Sequence, residues 1–309
     1  MTRKGPAAKR LEGTTSHEKV IDVHTHGLGG YDTRTAEEKD ILAIAAKQAS
    51  LGVAEIVLAI YPAPIKTMRG QMDAVRKAME RQKDMADTQS RISGVHLEGP
   101  FLNPLQCGAL DAKAFLEPAE YHLQNLIEGF EDIIKIITIS PEMKDAARTI
   151  RKIADRGIIP SMGHSAATYS EAENGFNAGA RGITHIFNAM RCFHHREPGI
   201  AGFGLLNQEV YIEVIADPFH LHRATIDLIF KVKNPARIII ISDSVSGSKM
   251  TGSQEVTDDS GRLLGGSMSI MESTRRLAEM GFEKNAVMKC VTVNPKRYLA
   301  GAISSVSCR

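Results

Sequence analysis

Eight short apolar runs punctuate this chain, and amphipathic stretches lie between them. The runs are KVIDVHTH, VAEIVLAIY, RISGVHLE, IIKIITIS, IIPSMGH, GITHIFN, VYIEVIAD and ARIIIISD. Stretches such as TAEEKDILAIAAKQASLG and PEMKDAARTIRKIADRG place Leu, Ile, Ala and Met at three- and four-residue spacing, the period of a helix with one buried face. Strand then helix, repeated, means parallel pairing, because a parallel neighbour is reached only through a crossover. Eight such units in about 250 residues fit an α/β fold of the (β/α)8 TIM-barrel class, which builds its sites at the C-terminal ends of its strands. An open doubly wound sheet is the competing arrangement. It would concentrate its ligand site at one glycine-rich turn, whereas polar residues here cap many strands.

Composition narrows the classes further. With 309 residues and 43% hydrophobic content, the chain can bury one large core. Apolar runs such as IIKIITI and ARIIIIS fall far short of the roughly 20 residues a membrane span needs, so no membrane segment is expected. The N-terminal MTRKGPAAKR is basic but lacks the apolar segment of a secretory signal. We expect a disordered lead-in over 1–18, the catalytic barrel over 19–301 and a short tail over 302–309. A formal charge of +2, with Lys and Arg interleaved among Glu and Asp, offers no basic field for nucleic acid. Cys107, Cys192, Cys290 and Cys308 show no CxxC spacing, which argues against a disulfide framework and suits a reducing cytoplasm.

The last positions of the strands carry the chemistry. His24, His26, Glu98, His164, His185 and Asp243 stand there, on five different strands. The two-residue period of a strand predicts that Asp22, His24 and His26 share one face, so that two imidazoles reach one ion; it also aligns His96 with Glu98. Glu98 itself is expected to end its strand, just before Gly99-Pro100 breaks the chain. Imidazoles with a carboxylate suit a divalent transition metal, zinc or iron foremost. Such an ion would lower the pKa of water toward ~7 and make hydroxide available near neutral pH, with Asp243 placed to take and return a proton. Singly, each histidine reads as an ordinary core or surface residue, and His17, His122 and His222 do. As a set they need a common partner, because an isolated carboxylate beside an apolar strand is costly to bury.

IDVHTHGLGG, GVHLEGPFLNP, GHSAATY, ITHIFNAM followed after five residues by REPG, IADPFH, ISDS, GRLLGGSMSIME and NPKRYLAG together resemble the amidohydrolase superfamily, and within it the N-acetylglucosamine-6-phosphate deacetylases. The resemblance covers roughly residues 20 to 300. It implies that Glu98, His164 and His185 hold one divalent ion. It further implies that His24 and His26, with Glu98 bridging and Asp243 nearby, can hold a second. Asn188, Ala189, His220 and Arg196 would grip an amino-sugar phosphate, with Arg196 reaching into the neighbouring subunit of a homodimer; a planar guanidinium suits phosphate. The implied reaction is hydrolysis of the acetamide to amine and acetate, with Asp243 carrying the proton to the departing nitrogen.

Three departures from the family pattern bear on substrate. Relatives flank the barrel with a small β-sandwich built from both chain ends, for which little chain is left here. Pro218 stands where glycine is usual, which would move the loop bearing His220. Relatives carry Gly-Ala-His where this chain has Gly108, Ala109 and Leu110; that histidine donates a hydrogen bond near the scissile amide and leucine cannot, so His195 is a candidate replacement. Other readings are an amidohydrolase for a different N-acyl sugar such as N-acetylgalactosamine 6-phosphate, or a non-catalytic sugar-phosphate-binding barrel. A deaminase or dihydroorotase-like enzyme would often bridge its ions with a carbamylated lysine on strand four, where Lys135 sits near the wrong end.

Overall fold

A computed structural model of the chain describes residues 18–85, 88–249 and 254–304. Each of the eight apolar runs contains a strand: β1 Ile21–Thr25, β2 Glu55–Ile60, β3 Arg91–Phe101, β4 Ile134–Ile139, β5 Ile159–Met162, β6 Gly182–Ile183, β7 Tyr211–Ile215 and β8 Ile238–Ile241. They pair in parallel, each with its successor in the chain. That sequential order has no reversal point, so the doubly wound arrangement is ruled out.

The ring closes unevenly between β1 and β8. At the C-terminal end the two strands bond directly: His24 O accepts from Asp243 N–H at 3.0 Å, and Ser244 O accepts from His26 N–H at 2.8 Å and Gly27 N–H at 3.0 Å. Toward the other end a different segment lies between them. Ile21 N–H donates to Val291 O at 2.8 Å and Ile240 N–H to Cys290 O at 3.0 Å, so backbone donors left open by the seam are satisfied by a wedge.

The helices follow from the spacing. Ile41, Ile44, Ala45 and Gln48 form the buried face of Glu38–Ser50, and Gly52 at φ +88° follows its end. Ala146, Thr149, Ile150 and Ile153 do the same for Ala146–Ala154, with Gly157 at φ +73° beyond it. A larger apolar cluster joins sheet to helices, while a smaller one gathers Val23, Val57, Ile136, Ile159, Ile215, Ile239 and Ile241 from the strands with Tyr298 from the helix Val293–Ser304.

Two local expectations need correcting, and one element is new. Glu98 does not end its strand: extended pairing continues through a cis Gly99–Pro100 peptide to Phe101, which pairs with Ile139 after a register irregularity. A two-stranded hairpin, Gly27–Leu28 with Tyr31–Asp32, follows β1 and was not foreseen. Asp22 also departs from its expected place. The β1–β2 register shifts between Asp22 and Thr25, and Asp22 Oδ1 instead accepts from His24 N–H at 3.2 Å and Ser242 N–H at 3.4 Å. Most of the lead-in, residues 1–17, and the end of the tail, residues 305–309, lie outside the described residues.

Candidate metal centre and active-site pocket

The strand-end residues meet at the mouth of the ring. His26, Glu98, His164, His185 and Asp243 line one pocket of about 420 Å³, with Tyr61, Asn188, Ala189, His220 and Leu110 around them. Glu98 is the hub. Its Oε1 lies 3.1 Å from both His164 Nε2 and His185 Nε2, and its Oε2 lies 3.1 Å from His26 Nε2. His24 Nε2 stands 3.3 Å from His26 Nε2 and 3.4 Å from Asp243 Oδ1. Among the described residues, donor atoms form three compact groups; Glu98–His164–His185 and His24–His26–Asp243 adjoin at the pocket, while His24–His96–Glu213 lies behind His24.

Hydrogen bonding indicates what charge the centre requires. His164 Nδ1 lies 2.9 Å from Gln106 O, and a carbonyl only accepts, so Nδ1 carries the proton. His164 Nε2 in turn faces Glu98 Oε1 and His185 Nε2, each 3.1 Å away. Acceptors converging this closely are stable only around positive charge, either protons or a cation. Burial lowers His185, but hydrogen bonding to Glu98 and the charges of Glu98 and Asp243 outweigh it and push His185 up to about 9. Burial likewise would raise Glu98, yet His26, His164 and His185 hold it well below the usual carboxylate range. His24 is lowered to about 4, chiefly by burial. An ionised carboxylate among imidazoles is a donor set that fits a divalent transition metal.

The backbone is strained to present these groups. His164, His185 and Asp243 have φ of 48°, 31° and 47°, a left-handed region that side-chain-bearing residues seldom occupy. Each such residue costs on the order of 1–3 kcal/mol and persists where the surroundings over-determine it. Ala189, on the pocket wall, shares the conformation at φ 48°.

Other residues fall into place unevenly. His220 lines the pocket despite Pro218, because Asp217 holds the loop: its carboxylate accepts from Phe219 N–H, His220 N–H and Ser267 N–H, and lies 2.9 Å from His220 Nδ1. Burial opposes ionisation of Asp217, but these bonds drive its pKa down. Arg196 and His195 are both exposed and outside the pocket of their own chain. His96 turns to Thr138 Oγ1 at 2.7 Å rather than joining Glu98. Lys135 donates to Asp132 O, away from the centre.

Four contributors went unrecognised in the sequence. Glu213 lies 3.2 Å from His24 Nδ1, Asp217 fixes His220, and Tyr61 stacks on His26 at 3.8 Å between ring centroids. Arg262 lines the pocket and donates to Gly108 O at 3.0 Å, tying the loop after β8 to the loop that carries Leu110. Aspartate three residues before histidine in IADPFH was a legible turn signal. Nothing in the sequence marked the other three.

Comparison with known proteins agrees with this geometry. No family model matches the chain. It is 33% identical over 235 residues to N-acetylglucosamine-6-phosphate deacetylase of Vibrio furnissii, covering 76% of this chain and 58% of that protein, less than two thirds of its length. It is 30% identical over 276 residues to N-acetylglucosamine-6-phosphate deacetylase of Bacillus subtilis, covering 84% of this chain and 69% of that one. The chain belongs to the N-acetylglucosamine-6-phosphate deacetylase family. N-acetylgalactosamine-6-phosphate deacetylase of Escherichia coli O157:H7 is also similar, 28% identical over 293 residues, covering 90% of this chain and 76% of that one. The crystal structure of N-acetylglucosamine-6-phosphate deacetylase from Thermotoga maritima superimposes with a TM-score of 0.81 at 26% identity, covering 92% of this chain and 78% of that one. The deacetylase-family barrel is therefore the fold, and none of the described helices is long and apolar enough to cross a membrane.

Proposed function

We propose that this chain hydrolyses the acetamide of an N-acetylated amino-sugar phosphate, with N-acetylglucosamine 6-phosphate as the leading substrate and glucosamine 6-phosphate and acetate as products. The observation that carries this reading is the convergence of the His24–His26–Asp243 and Glu98–His164–His185 groups on one pocket, in a chain of this family. These six residues would hold one or two divalent ions, zinc or iron. A bound ion supplies a Lewis acid and an activated water near neutral pH. Asp243, placed at the pocket by its left-handed backbone, takes the proton of the attacking water on its carboxylate and passes it to the departing nitrogen. Asn188, Ala189 and His220 line the wall against which the sugar phosphate would sit, and Arg262, paired with Asp258 at 3.2 Å, brings a guanidinium to it. The free thiols of Cys107, Cys192 and Cys290 suit a cytoplasmic enzyme.

Leu110 sets the substrate question. Losing one donor aimed at a developing oxyanion costs about 2.7–4 kcal/mol, or ~10²–10³ in rate. The wild type should be slow on N-acetylglucosamine 6-phosphate, and Leu110→His should speed it. Measuring kcat/KM of both proteins on that substrate, its galactosamine epimer and longer N-acyl analogues decides the point. A fast wild type with no gain from Leu110→His removes Leu110 from specificity, and a wild type inactive on every member of the series sinks the deacetylase reading.

Arg196, exposed and outside its own pocket, is read as serving the phosphate of a partner subunit in a homodimer. Mixing Arg196→Ala subunits with inactive Asp243→Asn subunits should restore part of the activity, since one hybrid site receives both an intact aspartate and an intact arginine. An active enzyme that sediments as a monomer refutes this.

A further inference from the structure

Glu213 lies in the barrel interior, completely buried, and belongs to none of the strand-end positions that gather around Glu98. Among the described residues the side chain hydrogen-bonded to its carboxylate is His24, whose Nδ1 lies 3.2 Å from Oε2, and His96 completes a compact group with these two. A buried carboxylate is costly unless it is partnered. His24 is equally buried, with Nε2 directed at His26, Glu98 and Asp243 at 3.3 to 3.6 Å. The two nitrogens of one imidazole are thus divided between a carboxylate below and the pocket cluster above.

We propose that Glu213 is a positioning residue that fixes His24 in the Nδ1–H tautomer and so delivers the Nε2 lone pair to the cluster. His24 turns Nε2 to the cluster, so the proton of the neutral imidazole belongs on Nδ1, where Glu213 Oε2 at 3.2 Å is the acceptor placed for it. An unassisted neutral imidazole distributes its proton between both nitrogens, and protonated Nε2 would be useless as a ligand. A carboxylate behind a ligating histidine also raises its basicity, and losing such a partner typically weakens metal binding ~10- to 100-fold. The placement is selective. His164 is oriented by Gln106 O instead, and the ligand-type side chain that Glu213 holds is His24.

This inference rests on the metal reading above, and its test separates the two. Glu213→Leu removes the acceptor and Glu213→Gln keeps one in nearly the same shape. Histidine-selective 15N NMR on metal-free protein reports the His24 tautomer, and zinc titration against a competing chelator reports affinity. Expected is loss of the Nδ1–H signal in Glu213→Leu, its retention in Glu213→Gln, and ~10- to 100-fold weaker binding of one zinc ion in the leucine variant only. An unchanged tautomer or unchanged zinc binding in a folded Glu213→Leu protein overturns the proposal. Should Glu213→Leu not fold, a Glu213→Gln protein whose His24 has lost the Nδ1–H tautomer overturns it equally. A wild type that binds no zinc yet shows the tautomer change overturns the metal reading while upholding the role of Glu213.

Discussion

Glu98→Gln should empty the cluster and abolish turnover together. The two oxygens of Glu98 are shared among His164, His185 and His26 at 3.1 Å each, so the substitution removes the negative charge common to both halves while keeping the shape. Taking one partner from a buried charged pair costs about 3–5 kcal/mol. At about 1.4 kcal/mol per tenfold, that is a loss of ~10²–10⁴ in metal affinity. Elemental analysis after exhaustive desalting, run beside the deacetylase assay, reads both quantities. Retention of full metal content and full turnover would show that the carboxylate is not the hub.

Asp243→Asn should behave differently. Asp243 lies outside the Glu98–His164–His185 group, so at least one ion should remain. Its backbone bond, N–H to His24 O at 3.0 Å, does not depend on the side chain, and the ring should still close. What disappears is the carboxylate that moves the proton, and turnover should fall ~10²- to 10⁴-fold. Retention of at least one ion with that loss separates proton transfer from ion binding at the Glu98–His164–His185 group. Full turnover in the asparagine protein would refute the assigned mechanism.

Much of the barrel and the identity of the clustered side chains were legible because both rest on local patterns. Strand and helix periods survive in the sequence, and ligand-type residues at strand ends are unusual enough to notice. What failed was geometry that depends on neighbours. A shift in the β1–β2 register carried Asp22 to the seam, although its spacing from His24 placed it on the same face. Glu98 was placed at a strand end because Gly99-Pro100 looks like a break, yet Gly99 at φ +103° sits in a stretch that pairs on to Phe101. The left-handed conformations of His164, His185 and Asp243 leave no trace in residue type, since that region ordinarily selects glycine. Glu213 was invisible for another reason: within VYIEVIAD it is one polar residue in an apolar run, and only the fold reveals that it stands behind His24.

The uneven seam between β1 and β8 also fixes when the centre comes into being during synthesis. His24 and His26 leave the ribosome first, but the carbonyl that holds the opposite end of β1 belongs to Val291, and Asp243 arrives with β8. Contacts so distant in sequence form late, because the intervening chain must be ordered before they contribute. A nascent chain carrying the first six strands already displays Glu98, His164 and His185, while the His24 half lacks its neighbour across the gap. The Glu98–His164–His185 group is therefore complete in sequence before the ring can close, and completion of the His24–His26–Asp243 group is tied to the arrival of the last strand and its wedge.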